Sequence, residues 1–175
     1  VTFYTRSLAQ QFRDMINNFY KEFTDDLIDD SKLHILHAWG TNSEEGVYSQ
    51  VCDLIKKAPL SYSNAESKYG RKNAFRGIVD EVLLSLPNDI EEIYDAMLID
   101  EAQDMDEDEH ELIKVLMEKN EMMRVIAVGD DDQNIYEWRG ADSKYLMSFI
   151  TEKKATKYEL IKNYRSKSNL ISFTN

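Results

Sequence analysis

The sequence predicts an α/β protein in which helices flank a parallel β-sheet. Short apolar runs alternate with amphipathic stretches from one end of the chain to the other, a pattern typical of strands and helices interleaved around such a sheet. The runs 96–99 and 125–128 show no polar alternation, which indicates strands buried on both faces. They end at Asp100 and Gly129. Because ligands usually bind where such strands end, we expect a functional site there.

The remaining elements follow from the same periodicities. Predicted strands cover 1–5, 33–38, 96–100, 123–129 and 156–161. Between them, apolar residues recur at helical spacing and are expected to face the core. These stripes comprise Leu8, Phe12, Met15, Phe19 and Phe23, then Val47, Val51, Leu54 and Ala58, then Ala74, Phe75, Ile78, Val79, Val82, Leu83 and Leu86. Residues 41–95 are therefore predicted to be helical, with a polar connection around 59–70, and Pro87 stops the last helix.

Composition excludes several classes of protein. The 175 residues are 42% apolar and 31% charged, the balance of one compact domain. With 33 acidic and 21 basic residues the net charge is -12, which disfavours a basic-patch mode of nucleic-acid binding. The single cysteine, Cys52, excludes an internal disulfide and a Cys-based zinc site. No run approaches the roughly 18 apolar residues of a membrane span, so we expect no membrane partner and a soluble, cytoplasmic protein.

The stretch 98–104 ends an apolar strand with two adjacent carboxylates, Asp100 and Glu101. Such a pair can divide the work of phosphoryl transfer. Asp100 can hold a hard divalent cation, and Glu101 can orient and deprotonate an attacking water. The alternative is that these acids merely cap the helix that follows.

The capping interpretation suits the next acids better. Asp106 and Glu109 have the spacing of a capping box ahead of an apolar helix, so we interpret residues 106–109 as structural. A calcium loop starting at Asp104 fails, because its sixth and twelfth positions, which need glycine and an acid, hold Glu109 and Val115.

The stretch 128–141 combines a strand end, a polar loop and a cluster of aromatic, cationic and glycine residues. The amide of Gln133 can donate to a phosphate oxygen or orient a water. Tyr136, Trp138 and Arg139 can present faces on which nucleobases stack. Taken alone, Tyr136 and Trp138 are more typical of a core or a protein interface than of a base-stacking surface.

In order and about 25 residues apart, these two stretches resemble motifs II and III of UvrD/Rep-like superfamily-one DNA helicases. Three further segments are similar to motifs of that family. Residues 160–166 (Leu-Ile-Lys-Asn-Tyr-Arg-Ser) look like motif IV, residues 1–9 like motif Ia, and residues 35–40 like motif Ib.

The resemblance implies an incomplete RecA-like sheet flanked by helices, a phosphate-loop NTPase fold without its loop. Residues 1–155 would be part of a first motor domain with a helical insertion at about 41–95, and residues 156–175 would begin a second motor domain. It implies that Asp100 binds magnesium, Glu101 is the general base of ATP hydrolysis, and Gln133 senses the terminal phosphate. It also implies that Tyr164 stacks near adenine and that Arg165 stabilises charge on the transferring phosphoryl group.

The implied DNA contacts come from the same motifs. Tyr136, Trp138 and Arg139 would link the ATP site to single-stranded DNA, and Phe3, His37 and Trp39 would add further contacts. His37 fits a hydrogen-bonded core histidine equally well.

The implied function is an ATP-dependent helicase of DNA-repair type that uses ATP and Mg²⁺ and acts on single-stranded DNA or a duplex with a single-stranded tail. No Gly-x-x-x-x-Gly-Lys-[Ser/Thr] loop occurs in the 175 residues. We therefore expect a piece of a larger helicase that lacks ATPase activity by itself, rather than a natural protein that has lost the ability to bind ATP. The alternatives are a non-catalytic acidic interaction or DNA-mimic module, and the motor part of a helicase-nuclease.

Overall fold

The computed structural model describes residues 2–3, 9–29, 31–87 and 93–162. A parallel sheet of four strands has the order β2-β1-β3-β4. The strands are β1 (Thr2–Phe3), β2 (Leu36–His37), β3 (Ala96–Ile99) and β4 (Arg124–Ala127). The helices are α1 (Ala9–Thr24), α2 (Val47–Leu54), α3 (Tyr62–Tyr69), α4 (Ala74–Leu83), α5 (Glu107–Lys119) and α6 (Lys144–Thr151). The predicted α/β class is confirmed.

The register brings the strand ends together at one edge of the sheet. Thr2 pairs with Leu36 on one side and with Ile99 on the other. Phe3 pairs with His37, and β3 pairs with β4 up to Ile99 and Ala127. Because all strands are parallel, the residues that follow them share one edge. Four of the predicted strands are thus confirmed; β2, β3 and β4 are shorter than expected, and residues 1, 4 and 5 of the first lie outside the described residues.

The expectation that β3 and β4 are buried on both faces is wrong within the described residues. Met97 and Ile99 are buried, whereas Leu98 is 42% exposed and Ile126 is 54% exposed. Successive side chains of a strand point to opposite faces, and the described elements cover only one face of these strands. The length and apolar composition of a strand do not show whether one of its faces or both are buried.

The core lies on the covered face, between the sheet and the helices α2, α4 and α5. The predicted stripe of α4 is confirmed, with Ile78, Val79 and Val82 almost fully buried. Val47 and Val51 of α2 are buried as well, whereas Ala58 lies beyond the end of α2 and is exposed.

The stripe of α1 is not a core stripe among the described residues. Met15 and Phe19 are about half exposed, and Phe23 is 83% exposed. Helical spacing predicted the element correctly, but periodicity cannot tell whether a partner covers the apolar side.

The predicted polar connection at 59–70 contains a helix, α3. Ser61 caps it by accepting a hydrogen bond from the backbone N–H of Asn64, and Ala65 is completely buried. The Leu60 backbone is held on both sides, since its N–H donates to the Tyr48 hydroxyl (3.1 Å) and its carbonyl accepts from Trp39 Nε1 (2.9 Å). Capping and packing therefore outweigh the weak apolar pattern of this segment.

Glu81 of α4 ties the three helices of the insertion together. Its carboxylate accepts hydrogen bonds from Lys57, which follows α2, and from the Tyr69 hydroxyl. It also accepts one from Lys68 of α3, at 2.6 Å. These donors lower the pKa of Glu81 to about 2, with Lys57 the largest contributor.

The capping box at the start of α5 is confirmed. Asp106 accepts a hydrogen bond from the backbone N–H of Glu109 at 2.9 Å, and Glu109 accepts one from that of Asp106 at 3.2 Å. Residues 106–109 therefore have the structural role that their spacing predicted.

The predicted strand 156–161 is wrong. These residues have no regular secondary structure, and Leu160 and Ile161 are almost fully exposed. A strand forms only beside a partner, and the described residues provide none here. None of the described helices combines the length and apolar character needed to cross a bilayer.

We predict that Glu81→Gln lowers the free energy of unfolding at neutral pH by roughly 1–2 kcal/mol, because two ammonium groups lose a charged acceptor in a partly screened site. The folded-state pKa of Glu81 is depressed from 4.5 to about 2. Its contribution is therefore complete above pH 4.5 and disappears as the pH falls toward 2. Urea unfolding across this window measures it.

Asp53→Asn, at an exposed carboxylate of α2, is the matched control and should leave the pH dependence as in the unmodified chain. A difference between Glu81→Gln and the unmodified chain that persists undiminished at pH 2 would contradict the ion-pair explanation.

Candidate functional site

Strand β3 delivers Asp100 and Glu101 to the edge where the strands end. Glu101 adopts a left-handed backbone conformation, with φ 51° and ψ 43°, which costs about 1–2 kcal/mol for a residue with a side chain. Flanking hydrogen bonds hold it there, from Ala102 N–H to the Val128 carbonyl (2.8 Å) and from Val128 N–H to the Ile99 carbonyl (2.9 Å). Residues held in such conformations cluster at functional sites.

The two carboxylates have different environments. Glu101 is exposed, whereas Asp100 is half-buried. Burial, and secondarily the adjacent charge of Glu101, raises the pKa of Asp100 above its ordinary value. A cation bound here would relieve that repulsion, so the pair fits a hard divalent ion.

The described residues contain no cluster of three or more His, Cys, Asp or Glu side chains able to hold a metal ion. The two carboxylates Asp100 and Glu101 nevertheless suit magnesium, which commonly uses one or two protein carboxylates and completes its coordination with water and substrate phosphates.

Gln103 connects Glu101 to the next strand end. Its side chain is buried, with 2% exposure. Nε2 donates to the Glu101 carboxylate at 2.8 Å, and Oε1 accepts from the backbone N–H of Asp130 at 3.1 Å. One buried amide thus bridges the residues that follow β3 and those that follow β4.

Gly129 makes this bridge possible. A Cβ at this position would lie 2.6 Å from Gln103 Oε1, 3.0 Å from Gln103 N and 3.0 Å from Leu146 Cδ2. Any side chain here would displace the bridging amide, so the close approach of the two segments requires glycine.

Beyond Gly129, Asp130 organises the short 3-10 helix Asp131–Gln133. Its carboxylate accepts from Asp132 N–H at 3.1 Å and from Gln133 Nε2 at 2.6 Å. A continuous chain of hydrogen bonds therefore runs from Glu101 through Gln103 and Asp130 to Gln133. The structure brings the two polar motifs into one site.

The aromatic residues lie one turn further along. Tyr136 is half-buried, and its N–H donates to Asn134 Oδ1 at 3.2 Å. Trp138, in the 3-10 helix Glu137–Arg139, is 81% exposed. A tryptophan this exposed does not belong to the core of the described residues. The side chain of Arg139 lies outside the described set, as do residues Tyr164 and Arg165.

Phe3 and His37 are neighbours across β1 and β2, so their backbones lie at the same edge as Asp100. The Nε2 atom of His37 accepts a hydrogen bond from Gly40 N–H at 3.1 Å. Trp39 is half-buried within a cluster of Tyr48, Tyr62 and Phe75. Both rings therefore have structural contacts in addition to any role at a binding surface.

No pattern in the sequence indicated the contacts that Gln103, Asp130 and Gly129 make at this site. Gln103 could have been noticed as a single amide within the acidic stretch that follows the apolar strand 96–99. Its partner across the sheet could not be identified, because the pairing depends on which strands are neighbours.

A family model for the UvrD/REP helicase N-terminal domain matches residues 8–154. That match covers most of the chain, and the chain therefore belongs to the UvrD/Rep helicase family. The resemblance of the motifs to this family is thereby confirmed.

Individual relatives agree. The chain is 28% identical over 179 aligned residues to a probable DNA helicase II homolog of Mycoplasma genitalium, covering 97% of this chain and 25% of that protein. It is 40% identical over 79 residues to DNA helicase II of Haemophilus influenzae, covering 45% of this chain and 11% of that protein. It is 39% identical over 80 residues to the ATP-dependent DNA helicase Rep of Escherichia coli, covering 45% and 12%. The chain thus spans a quarter or less of the length of these relatives.

We predict that Gly129→Ala lowers the free energy of unfolding by about 1–3 kcal/mol, because the new methyl group displaces the Gln103 amide and leaves buried polar atoms unpaired. Denaturant unfolding of Gly129→Ala, Gln103→Ala and the double variant measures the coupling.

The cost of Gly129→Ala should be smaller in the Gln103→Ala background, which removes the first atom that the methyl group meets. Strictly additive effects would show that the two residues do not interact.

Proposed function

We propose that the protein containing this chain is an ATP-dependent DNA helicase that couples ATP hydrolysis to movement along single-stranded DNA and to duplex unwinding. The observation that carries the proposal is the hydrogen-bond chain from Glu101 to Gln133. It joins a carboxylate suited to general-base work with an exposed amide suited to a phosphate oxygen. Family membership supports a RecA-like fold for residues 1–155.

In this proposal Glu101 orients the attacking water and accepts its proton. The carboxylate is exposed to the site while its backbone is held by the strand ends, so it is positioned before substrate arrives. Asp100 would hold Mg²⁺, which supplies positive charge against the phosphate oxygens. Gln133 would donate to the terminal phosphate of ATP.

Gln103 makes the two halves of the site interdependent. If Gln133 changes partner from Asp130 to a phosphate oxygen, Asp130 loses an amide donor at one carboxylate oxygen. The backbone N–H of Asp130 is bonded to Gln103, whose other end holds Glu101. The position of the phosphate can thereby influence the position of the base.

Trp138, Tyr136 and Arg139 follow the loop that holds Gln133 and would contact DNA. Stacking on the exposed Trp138 ring needs no net positive charge, which reconciles DNA binding with the charge of -12. Phe3, His37 and Trp39 would extend this surface along the strand ends.

Tyr164 and Arg165 would act from a second motor domain beginning near residue 156, with Tyr164 against adenine and Arg165 on the transferring phosphoryl group. Because the 175 residues contain no phosphate-binding loop, we expect this chain alone to hydrolyse no ATP. Activity is therefore measured in the full-length protein.

We predict that Glu101→Gln lowers the DNA-stimulated kcat for ATP by about 10²- to 10⁴-fold, the range that general-base groups contribute. Glutamine keeps the shape of the side chain but cannot accept the proton. ATPase turnover in the full-length protein measures the loss, and ATP binding should be retained.

Glu22→Gln is the control, since Glu22 is an exposed acid of α1 outside the hydrogen-bond chain. Full activity of Glu101→Gln would exclude Glu101 as the base.

We predict that Trp138→Ala weakens binding of a single-stranded oligonucleotide about 5- to 150-fold, which corresponds to the 1–3 kcal/mol of one stacked base. Phe23→Ala removes an equally exposed aromatic ring from α1 and should leave affinity unchanged. Fluorescence anisotropy with a labelled oligothymidylate compares the two variants, and equal affinities would argue against stacking on Trp138.

A further inference from the structure

Basic residues are concentrated in one part of the helical insertion, residues 56–76. Between residues 56 and 76 the chain has six basic residues and one acidic residue, whereas the rest of the chain has 15 basic and 32 acidic residues. In a protein of net charge -12, this local excess is the exception. Residues 56–76 comprise the connection that follows α2, the whole of α3 and the start of α4.

Three of these six cations already have partners. Lys57 and Lys68 bind Glu81, and Arg76 lies within 4 Å of Asp80 and Glu107. Arg71 and Lys72 are exposed and form no ion pair within the described part of the chain. Their charges are therefore available to a ligand.

The backbone places both cations at the rim of a groove. Gly70 ends α3 with φ 82°, and the 3-10 helix Arg71–Asn73 follows directly. The groove encloses about 970 Å³ between this rim, the residues after β2 and the start of α5. Gly70 supplies a positive φ that residues with a side chain rarely adopt without strain.

An aromatic surface lines the groove beside the cations. Tyr62 is 50% exposed, and its ring centroid lies 5.7 Å from that of Trp39. Trp39 is in turn fixed by its hydrogen bond to the Leu60 carbonyl. An exposed ring on a rigid support, next to unpaired cations, has the composition of a single-strand binding surface.

The groove continues into the surface proposed to bind DNA. Its lining includes His37 from the end of β2 and Gly140, which directly follows the Glu137–Arg139 helix of Trp138. The groove lining also includes Asp106, Glu107, Asp108 and Glu109 at the start of α5. These acids would repel a phosphate chain, which would be attracted to Arg71 and Lys72.

We propose that Arg71 and Lys72 bind the phosphates of a segment of single-stranded DNA, one of whose bases stacks on Tyr62. This inference rests on the proposed function and adds to it a DNA contact within the insertion. The composition favours a single strand over a duplex, because stacking on Tyr62 requires an unpaired base face.

The test compares Arg71→Ala/Lys72→Ala with Lys21→Ala/Arg124→Ala in the full-length protein. Both pairs remove two exposed positive charges, but Arg124 begins β4, at the sheet edge opposite to the strand ends, and Lys21 lies in the last turn of α1. Affinity for a labelled oligothymidylate is measured over a range of salt concentrations, and thermal unfolding confirms that each variant is folded.

Losing two phosphate contacts should reduce the slope of log K against log salt by about 1.4 and the affinity at 0.1 M salt roughly 10- to 30-fold. The control pair should change neither quantity. Tyr62→Leu, which keeps an apolar contact with Trp39, should lower affinity without changing the slope, because it removes stacking and no charge.

An unchanged slope in Arg71→Ala/Lys72→Ala, or an equal fall in the control pair, would overturn the inference. If Trp138→Ala still weakens binding in that case, the proposed function stands and only the groove assignment fails. If the full-length protein binds no single-stranded DNA, the proposed function fails and the groove assignment fails with it.

Discussion

The arrangement of the site depends on the buried amide of Gln103. A neutral side chain with one donor end and one acceptor end can satisfy a carboxylate and a backbone N–H at the same time. In this protein it does so between Glu101 and Asp130, which follow neighbouring parallel strands. Because a buried polar group without partners is costly, the amide holds both segments in a defined relation.

The sheet makes that relation possible. Parallel pairing of β3 with β4 brings Asp100 and Gly129 to the same edge, and two backbone hydrogen bonds tie Val128 to Ile99 and Ala102. The strained backbone of Glu101 is tolerated because these bonds surround it. The absence of a side chain at Gly129 then allows the two segments to approach. The position of the Gln103 bridge therefore depends on the strand pairing, on the backbone of Glu101 and on Gly129 together.

The charge of the protein is distributed unevenly between two regions. Around Asp100 the acids form the candidate magnesium site, and Asp106 caps the start of α5. Around Arg71, basic residues outnumber acidic ones. Glu81 neutralises part of this positive charge by binding Lys57 and Lys68. A net charge describes neither region. The proposed recognition of DNA therefore relies on stacking and on a few positioned cations, and not on a uniformly basic surface.

Local patterns in the sequence determined the α/β class, the strands around residues 96–99 and 124–127, the stripe of α4 and the capping box at Asp106. They also determined which acids, amides and aromatic residues belong to the motifs, because these features depend on spacing along the chain. The tertiary structure decided what spacing cannot encode. Burial of one strand face, exposure of Phe23, and the lack of a strand at 156–161 depend on which partners are present. The bridge through Gln103 and the groove beside Arg71 join residues distant in sequence, so only the pairing of strands and the packing of helices bring them together.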